Sequence, residues 1–251
     1  MDKAQSLGLT EDVPRKLSFG SLFAGIGGFD LGFERAGLEC KWQVEKDEFR
    51  RRVLAKHWPS VPRWDDVFTF GCKAFARPDV ICGGPPCQRT SVAAAIQGKR
   101  TGETLWPEMF RVAGYFSPRF IVVEQPSGNP AWESKVKGDL ESIGYYASKL
   151  ERSAESCGAP HQRRRVFIVA YSMQERREAV SWAPGPSEAA AVPWPAPPRG
   201  AWRQAGAGDR RMDDGFSDWV DRLEGLGDAV VPQVAEWIGR RIIEANRSLA
   251  L

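Results

Sequence analysis

Cys87 stands in the run ICGGPPCQRTS, residues 81–91. Glycines allow close backbone approach and prolines fix φ, so two of each predict a stiff, shaped loop that aims the thiol. A free thiol, with a pKa of about 8.5, is only a few per cent ionised at neutral pH, yet its intrinsic nucleophilicity is high. A second chemical group is Glu124, at the end of the apolar run FIVVE. A third is the stretch SLFAGIGGFDLGFERAG, residues 21–37, which reads as strand, glycine turn and helix. Such a turn lets a nucleotide-like cofactor reach the backbone, and Glu45, 20 residues after Gly25, is placed where a carboxylate takes ribose hydroxyls. Each also has a bland reading: a structural turn, an inert loop cysteine, a helix-capping or surface acid. In G-x-G-x-x-G the third glycine would fall on Asp30, an anion beside the helix start where a pyrophosphate would have to sit, so a cofactor without phosphates suits the turn better.

The elements that must position these groups alternate. Short apolar runs at 17–23, 41–44, 79–82, 120–123 and 166–170 are predicted strands, and 29–36, 47–57, 105–116 and 132–143 are stretches of helical length. The alternation predicts an α/β fold, a mostly parallel sheet flanked by helices. Ligands of open α/β sheets bind at the carboxyl ends of the strands, so the glycine turn, Glu45, Cys87 and Glu124 should face one crevice. From Tyr171 to about Arg211 the pattern gives way to Pro, Ala, Gly and Trp, either a linker or a contact surface carrying Trp182, Trp194 and Trp202. Gly225 and Gly227 then precede an amphipathic C-terminal helix.

The chain has 251 residues, enough for one sizeable core. Its five cysteines lack the paired CxxC spacings of a zinc site, so neither structural metal nor disulfides are expected. Lys and Arg exceed Asp and Glu by only 35 to 32, too little to identify a nucleic-acid binder. No apolar run reaches the roughly 18 residues of a membrane span, which gives the expectation of a cytoplasmic protein.

In order along the chain, FAGIGG (23–28), GGPPCQ (83–88), ETLW (103–106), Glu124, QRRRVFIVA (162–170) and GDAVVP (227–232) resemble the motifs of the DNA cytosine-5 methyltransferases. The resemblance implies a Rossmann-like, S-adenosylmethionine-dependent methyltransferase fold. Its catalytic core spans 17–171, a short irregular target-recognition region 172–222, and a C-terminal motif and helix 223–251 pack back on the core. It implies a thiolate of Cys87 that adds to carbon 6 of a flipped-out cytosine, with Gln88 beside it and a proton near N3 shared by Glu124, whose pKa burial would raise. Arg163 and Arg165 would hold the base and the Cys loop. Cofactor contacts would come from Phe23, Gly25, Ile26, Gly28, Glu45, Lys46, Asp66, Val67, Pro86, Leu105, Asp228, Ala229 and Val230, with no metal. The expected partner is double-stranded DNA, with the Trp- and Arg-bearing segment 182–211 touching it. A monomer is expected, in a prokaryotic or phage-encoded setting where a cognate restriction enzyme is a candidate second partner.

Three departures from the motifs stand out: Gln125-Pro126 for Asn-Val after the acid, Asp228 for Asn, and Lys46 where an aromatic often covers the adenine. Rival readings are a tRNA-acting relative, whose Cys-Phe-Thr signature is absent here, a catalytically silent DNA-binding relative, and an unrelated nicotinamide-dependent oxidoreductase.

Overall fold

In the computed structural model, residues 15–86, 104–157, 163–173 and 229–249 are described. Among them a seven-stranded sheet is built from β1 (Ser18–Leu22), β2 (Glu39–Val44), β3 (Arg63–Trp64), β4 (Val80–Gly83), β5 (Phe120–Pro126), β6 (Tyr145–Ser153) and β7 (Arg164–Ser172), in the order β3-β2-β1-β4-β5-β7-β6. The helices are α1 (Gly28–Ala36), α2 (Glu48–His57), α3 (Trp106–Phe116), α4 (Pro130–Ser142) and α5 (Pro232–Leu249).

Neighbours from β3 through β5 pair parallel, whereas β7 pairs antiparallel with both β5 and β6. That one reversal matters for the site. A strand running against its neighbours begins where they end, so the start of β7 lies at the carboxyl end of β5, with Arg165 opposite Pro126.

Both faces of the sheet are covered, and the side-chain alternation of the strands divides the core in two. Along β5, Ile121 and Val123 join the layer made with α3 and α4, while Phe120 and Val122 face the layer made with α1 and α5. The central strands β4 and β5 and the middle of β7 therefore read as unbroken apolar runs, because neither face meets water there. Helices α1 and α5 pack closely: a Cβ on Gly32 would lie 2.4 Å from the Pro232 carbonyl oxygen, and one on Gly28 would lie 2.3 Å from that of Val230. Gly28 of the motif and Gly32 within α1 thus serve the approach of the C-terminal segment and helix packing.

Asp30 corrects the sequence reading. Its side chain is fully buried under α1 instead of facing a ligand at the helix start, accepting hydrogen bonds from Ser21 Oγ (3.0 Å) and Gln43 Nε2 (2.8 Å) on the sheet. Its charge is no argument against a pyrophosphate. Burial, only partly offset by these hydrogen bonds, pushes its carboxyl up to about 6. A carboxyl whose folded pKa is raised stabilises the fold most at low pH, where both states are protonated, and that advantage fades as pH rises from the unfolded value of about 3.9 through the folded value. The whole effect is worth roughly 3 kcal/mol, about half of it lost between about pH 5 and pH 7. Asp30→Asn should therefore gain stability relative to the parent protein over that interval. Parallel urea-unfolding stabilities of the two proteins from pH 5 to pH 7 would contradict the assignment.

Candidate active site

The carboxyl ends of β1, β2, β4 and β5 open onto one cleft of about 590 Å3. Of the residues singled out in the sequence it is lined by Phe23, Gly25, Gly28, Glu45, Lys46, Asp66, Val67, Pro86, Leu105, Glu124, Arg165, Ala229 and Val230. Ile26 and Arg163 do not line it. Cys87, Gln88, Asp228 and the segment 182–211 lie outside the described residues.

The turn after β1 forms one wall. Gly25 holds φ +58, a backbone conformation side chains disfavour, and a Cβ there would meet nothing within 4 Å. Its N–H donates to Glu45 Oε2 at 2.7 Å, and Asp47 N–H donates to Glu45 Oε1 at 2.9 Å. Glu45 thus ties the β1 turn to the start of α2 before any ligand arrives. Each carboxylate oxygen has two acceptor directions, so hydroxyl groups can still bond it. Phe23, just before the turn, also holds a positive φ, of 53.

Beyond β3, Asp66 caps the short turn Val67–Thr69 by accepting from Phe68 N–H at 2.9 Å, and Lys46 Nζ lies 3.8 Å from its other oxygen. Arg111 on α3 donates to the Val67 carbonyl at 2.7 Å, which fixes this turn against the core.

At the opposite end, Glu124 is buried and Arg165 Nε lies 2.9 Å from its Oε1. Gly84 leaves the room this requires, since a Cβ there would lie 2.9 Å from Glu124 Oε2. The next residue, Gln125, donates from Nε2 to the Pro85 carbonyl, and Leu105 N–H donates to the Pro86 carbonyl at 3.2 Å. The backbone leading into Cys87 is therefore held from two sides, by β5 and by the segment before α3. The departure at Gln125 has a structural use: it reaches the loop that precedes the thiol.

Arg163, at the start of the motif's strand, makes a contact within the described residues. Its Nη2 donates to the Ala229 carbonyl at 2.8 Å, joining the start of β7 to the segment before α5. Sequence reasoning missed cleft residues, among them Arg50, Phe68 and Gln125. Gln125 stood beside an assigned acid and was legible as a departure. Phe68 carried no periodic signal, because it lies in a turn of three residues.

Among the described residues no group of His, Cys, Asp and Glu is arranged to hold a metal, and no helix is long and apolar enough to cross a membrane.

Comparison with known proteins agrees with this geometry. The family model for C-5 cytosine-specific DNA methylase matches residues 17–193. Type II methyltransferase M.AplI of Arthrospira platensis is 30% identical over 198 residues, covering 76% of this chain and 54% of the relative. Type II methyltransferase M.HhaI of Haemophilus parahaemolyticus is 26% identical, over 62% of this chain and 49% of the relative. The chain thus spans about half the length of these curated relatives. Among solved structures, a candidate DNA modification methyltransferase encoded within an E. coli prophage aligns with TM-score 0.52 and 24% identity, over 63% of this chain and 47% of that one. A Spodoptera frugiperda DNMT2 mutant aligns with TM-score 0.52 and 16% identity, over 62% of this chain and 50% of that one. These structural likenesses bear on the fold alone.

Proposed function

The chain belongs to the C-5 cytosine-specific DNA methylase family, and from that premise we propose that it methylates carbon 5 of cytosine in double-stranded DNA, with S-adenosylmethionine as methyl donor. One observation carries this reading: the glycine turn, Glu45, Glu124 and the backbone entering Cys87 converge on a single cleft. Its volume of about 590 Å3 suits a cofactor-sized ligand, within the roughly 300–1,000 Å3 usual for such sites. Gly25 offers backbone with open space in front of it, Glu45 offers carboxylate oxygens for ribose hydroxyls, and Val230, packed against Gly28, adds to the lining together with Ala229. The cofactor, when bound, supplies an electrophilic methyl group on a sulfonium.

This chain's own groups do the rest. The Cys87 thiolate adds to carbon 6 of the cytosine, and N3 takes a proton from Glu124 as the ring accepts the electron pair. Carbon 5 becomes enamine-like and nucleophilic. After carbon 5 has gained its methyl group, a base removes the hydrogen there, the pair of electrons expels the thiolate from carbon 6, and the N3 proton returns to Glu124. Gln125 and Leu105 orient the loop, and Arg165 orients the acid. None of this can reach a base inside a stacked duplex, so the cytosine is extruded, at a cost of a few kcal/mol.

Division into a core at 17–171, target recognition at 172–222 and a C-terminal part at 223–251 goes with this reading. A monomer working in a prokaryotic cytoplasm, with a restriction enzyme as its functional counterpart, completes it; the type II names of the relatives support that setting. Incubation with mixed-sequence duplex DNA and labelled S-adenosylmethionine, followed by digestion to nucleosides, should place the label in 5-methylcytidine's deoxy form. Label confined to tRNA in a parallel incubation would replace DNA with RNA as the substrate.

A further inference from the structure

Among the described residues three aromatic rings line the cleft, and they differ in one respect. Phe29 is buried in the core with 4% of its surface exposed, Phe23 is partly buried, and Phe68 is 56% exposed. A single exposed phenylalanine is ordinary on a protein surface, but this one lies in the wall of a ligand cleft on a turn that is anchored twice. Asp66 caps the turn through the Phe68 N–H, and Arg111 holds the carbonyl of Val67. The ring is therefore presented from fixed backbone.

Its position distinguishes which part of a ligand it could meet. Glu124 ends β5, whereas Phe68 follows β3, and the sheet order sets four strand spacings between those two strands, roughly 19 Å at about 4.8 Å each. Phe68 stands at the end of the cleft away from the reacting base. Glu45 lies between them at the end of β2, with Asp66 and Val67 next to Phe68. Position 46, on the same rim, is Lys46, whose side chain is 78% exposed with its Nζ 3.8 Å from Asp66, so it offers a charge and no aromatic ring.

We propose that Phe68 is the aromatic wall against which the adenine of the cofactor packs. A flat heteroaromatic ring attached to a ribose on Glu45 reaches the far end of the cleft, and the exposed phenyl ring gains dispersion and ring-to-ring contact from it. Asp66 beside it can accept from an exocyclic amine. The inference rests on the cofactor assignment above and adds the residue that recognises the base.

The test uses calorimetry with two ligands: S-adenosylhomocysteine, and S-ribosylhomocysteine, which keeps the ribose and amino-acid parts without adenine. Phe68→Ala should weaken S-adenosylhomocysteine on the order of tenfold or more, Phe68→Trp should bind it as the parent does, and S-ribosylhomocysteine should bind the parent and Phe68→Ala equally. Because the ring is exposed, the melting temperature should be unchanged across the set. Equal S-adenosylhomocysteine affinity for the parent and Phe68→Ala would overturn the wall, as would equal weakening of both ligands. Failure of the parent protein to bind S-adenosylhomocysteine at all would overturn the cofactor assignment itself.

Discussion

Cys87→Ala should abolish methyl transfer, with a loss on the order of 10⁴-fold or more, since removing the nucleophile leaves only positioning and binding. The four described cysteines make poor substitutes. Cys82, five residues earlier, is fully buried, its thiol directed at the Gly20 carbonyl at 3.7 Å, and burial raises its pKa well above the usual thiol value. Burial also pushes up the thiols of Cys40, Cys72 and Cys157. A thiolate is the nucleophilic form, so these four are held away from reactivity. The covalent bond can be caught directly. In the normal reaction the adduct is transient, because loss of the carbon 5 hydrogen expels the thiolate. With 5-fluorocytosine at the target, fluorine replaces that hydrogen and elimination stalls. A denaturation-resistant protein–DNA adduct should accumulate when S-adenosylmethionine is present and map to Cys87, and the Cys87→Ala protein should form none. An adduct on Cys82, or methylation at the parent rate by Cys87→Ala, would show the nucleophile to be misassigned.

The strands that carry the site were legible because they are buried on both faces. Runs such as FIVVE and RRVFIVA stay apolar without alternation, and they sit between stretches of helical length. Two strands escaped. β3 is two residues long, and β6, YYASKLERS, alternates between core and solvent as an edge strand does, with Lys149, Glu151 and Arg152 interrupting any apolar run. The site was legible wherever chemistry demands a residue type: a glycine where φ is positive, a carboxylate at a strand end. What the sequence could not disclose were partnerships across the chain. Nothing in the spacing says that Glu45 spends one oxygen on Gly25, that Arg163 bonds the Ala229 carbonyl, or that Gln125 reaches Pro85. In VFTF, Phe68 and Phe70 look alike, yet one is 56% exposed and the other 2%. The backbone of the turn decides between them. Asp30 failed for the same reason: its place beside a helix start was read correctly, and the direction of its side chain was not.

Glu124→Gln should reduce turnover on the order of 10²- to 10⁴-fold, the usual worth of a positioned proton donor, while leaving the affinity for S-adenosylhomocysteine within about twofold. The amide keeps the shape that Gly84 accommodates, so the cleft and the Cys87 loop stay in place, but it cannot give a proton to N3. The two catalytic variants should then differ in kind. With 5-fluorocytosine DNA, Glu124→Gln should still form the adduct, far more slowly than the parent, because the thiol is present and only its addition is unassisted. Arg165 supplies a second check. Its Nε lies 2.9 Å from Glu124 Oε1, so it holds the carboxyl in one orientation, and Arg165→Lys keeps a cation while losing that planar contact. Arg165→Lys should be slower than the parent and faster than Glu124→Gln. Residues that act through one another are not additive, so adding Arg165→Lys to Glu124→Gln should cost little more than Glu124→Gln alone. Full additivity of the two losses would mean that Arg165 serves the reaction by another route. Parent-like turnover in Glu124→Gln would mean that the proton at N3 comes from elsewhere.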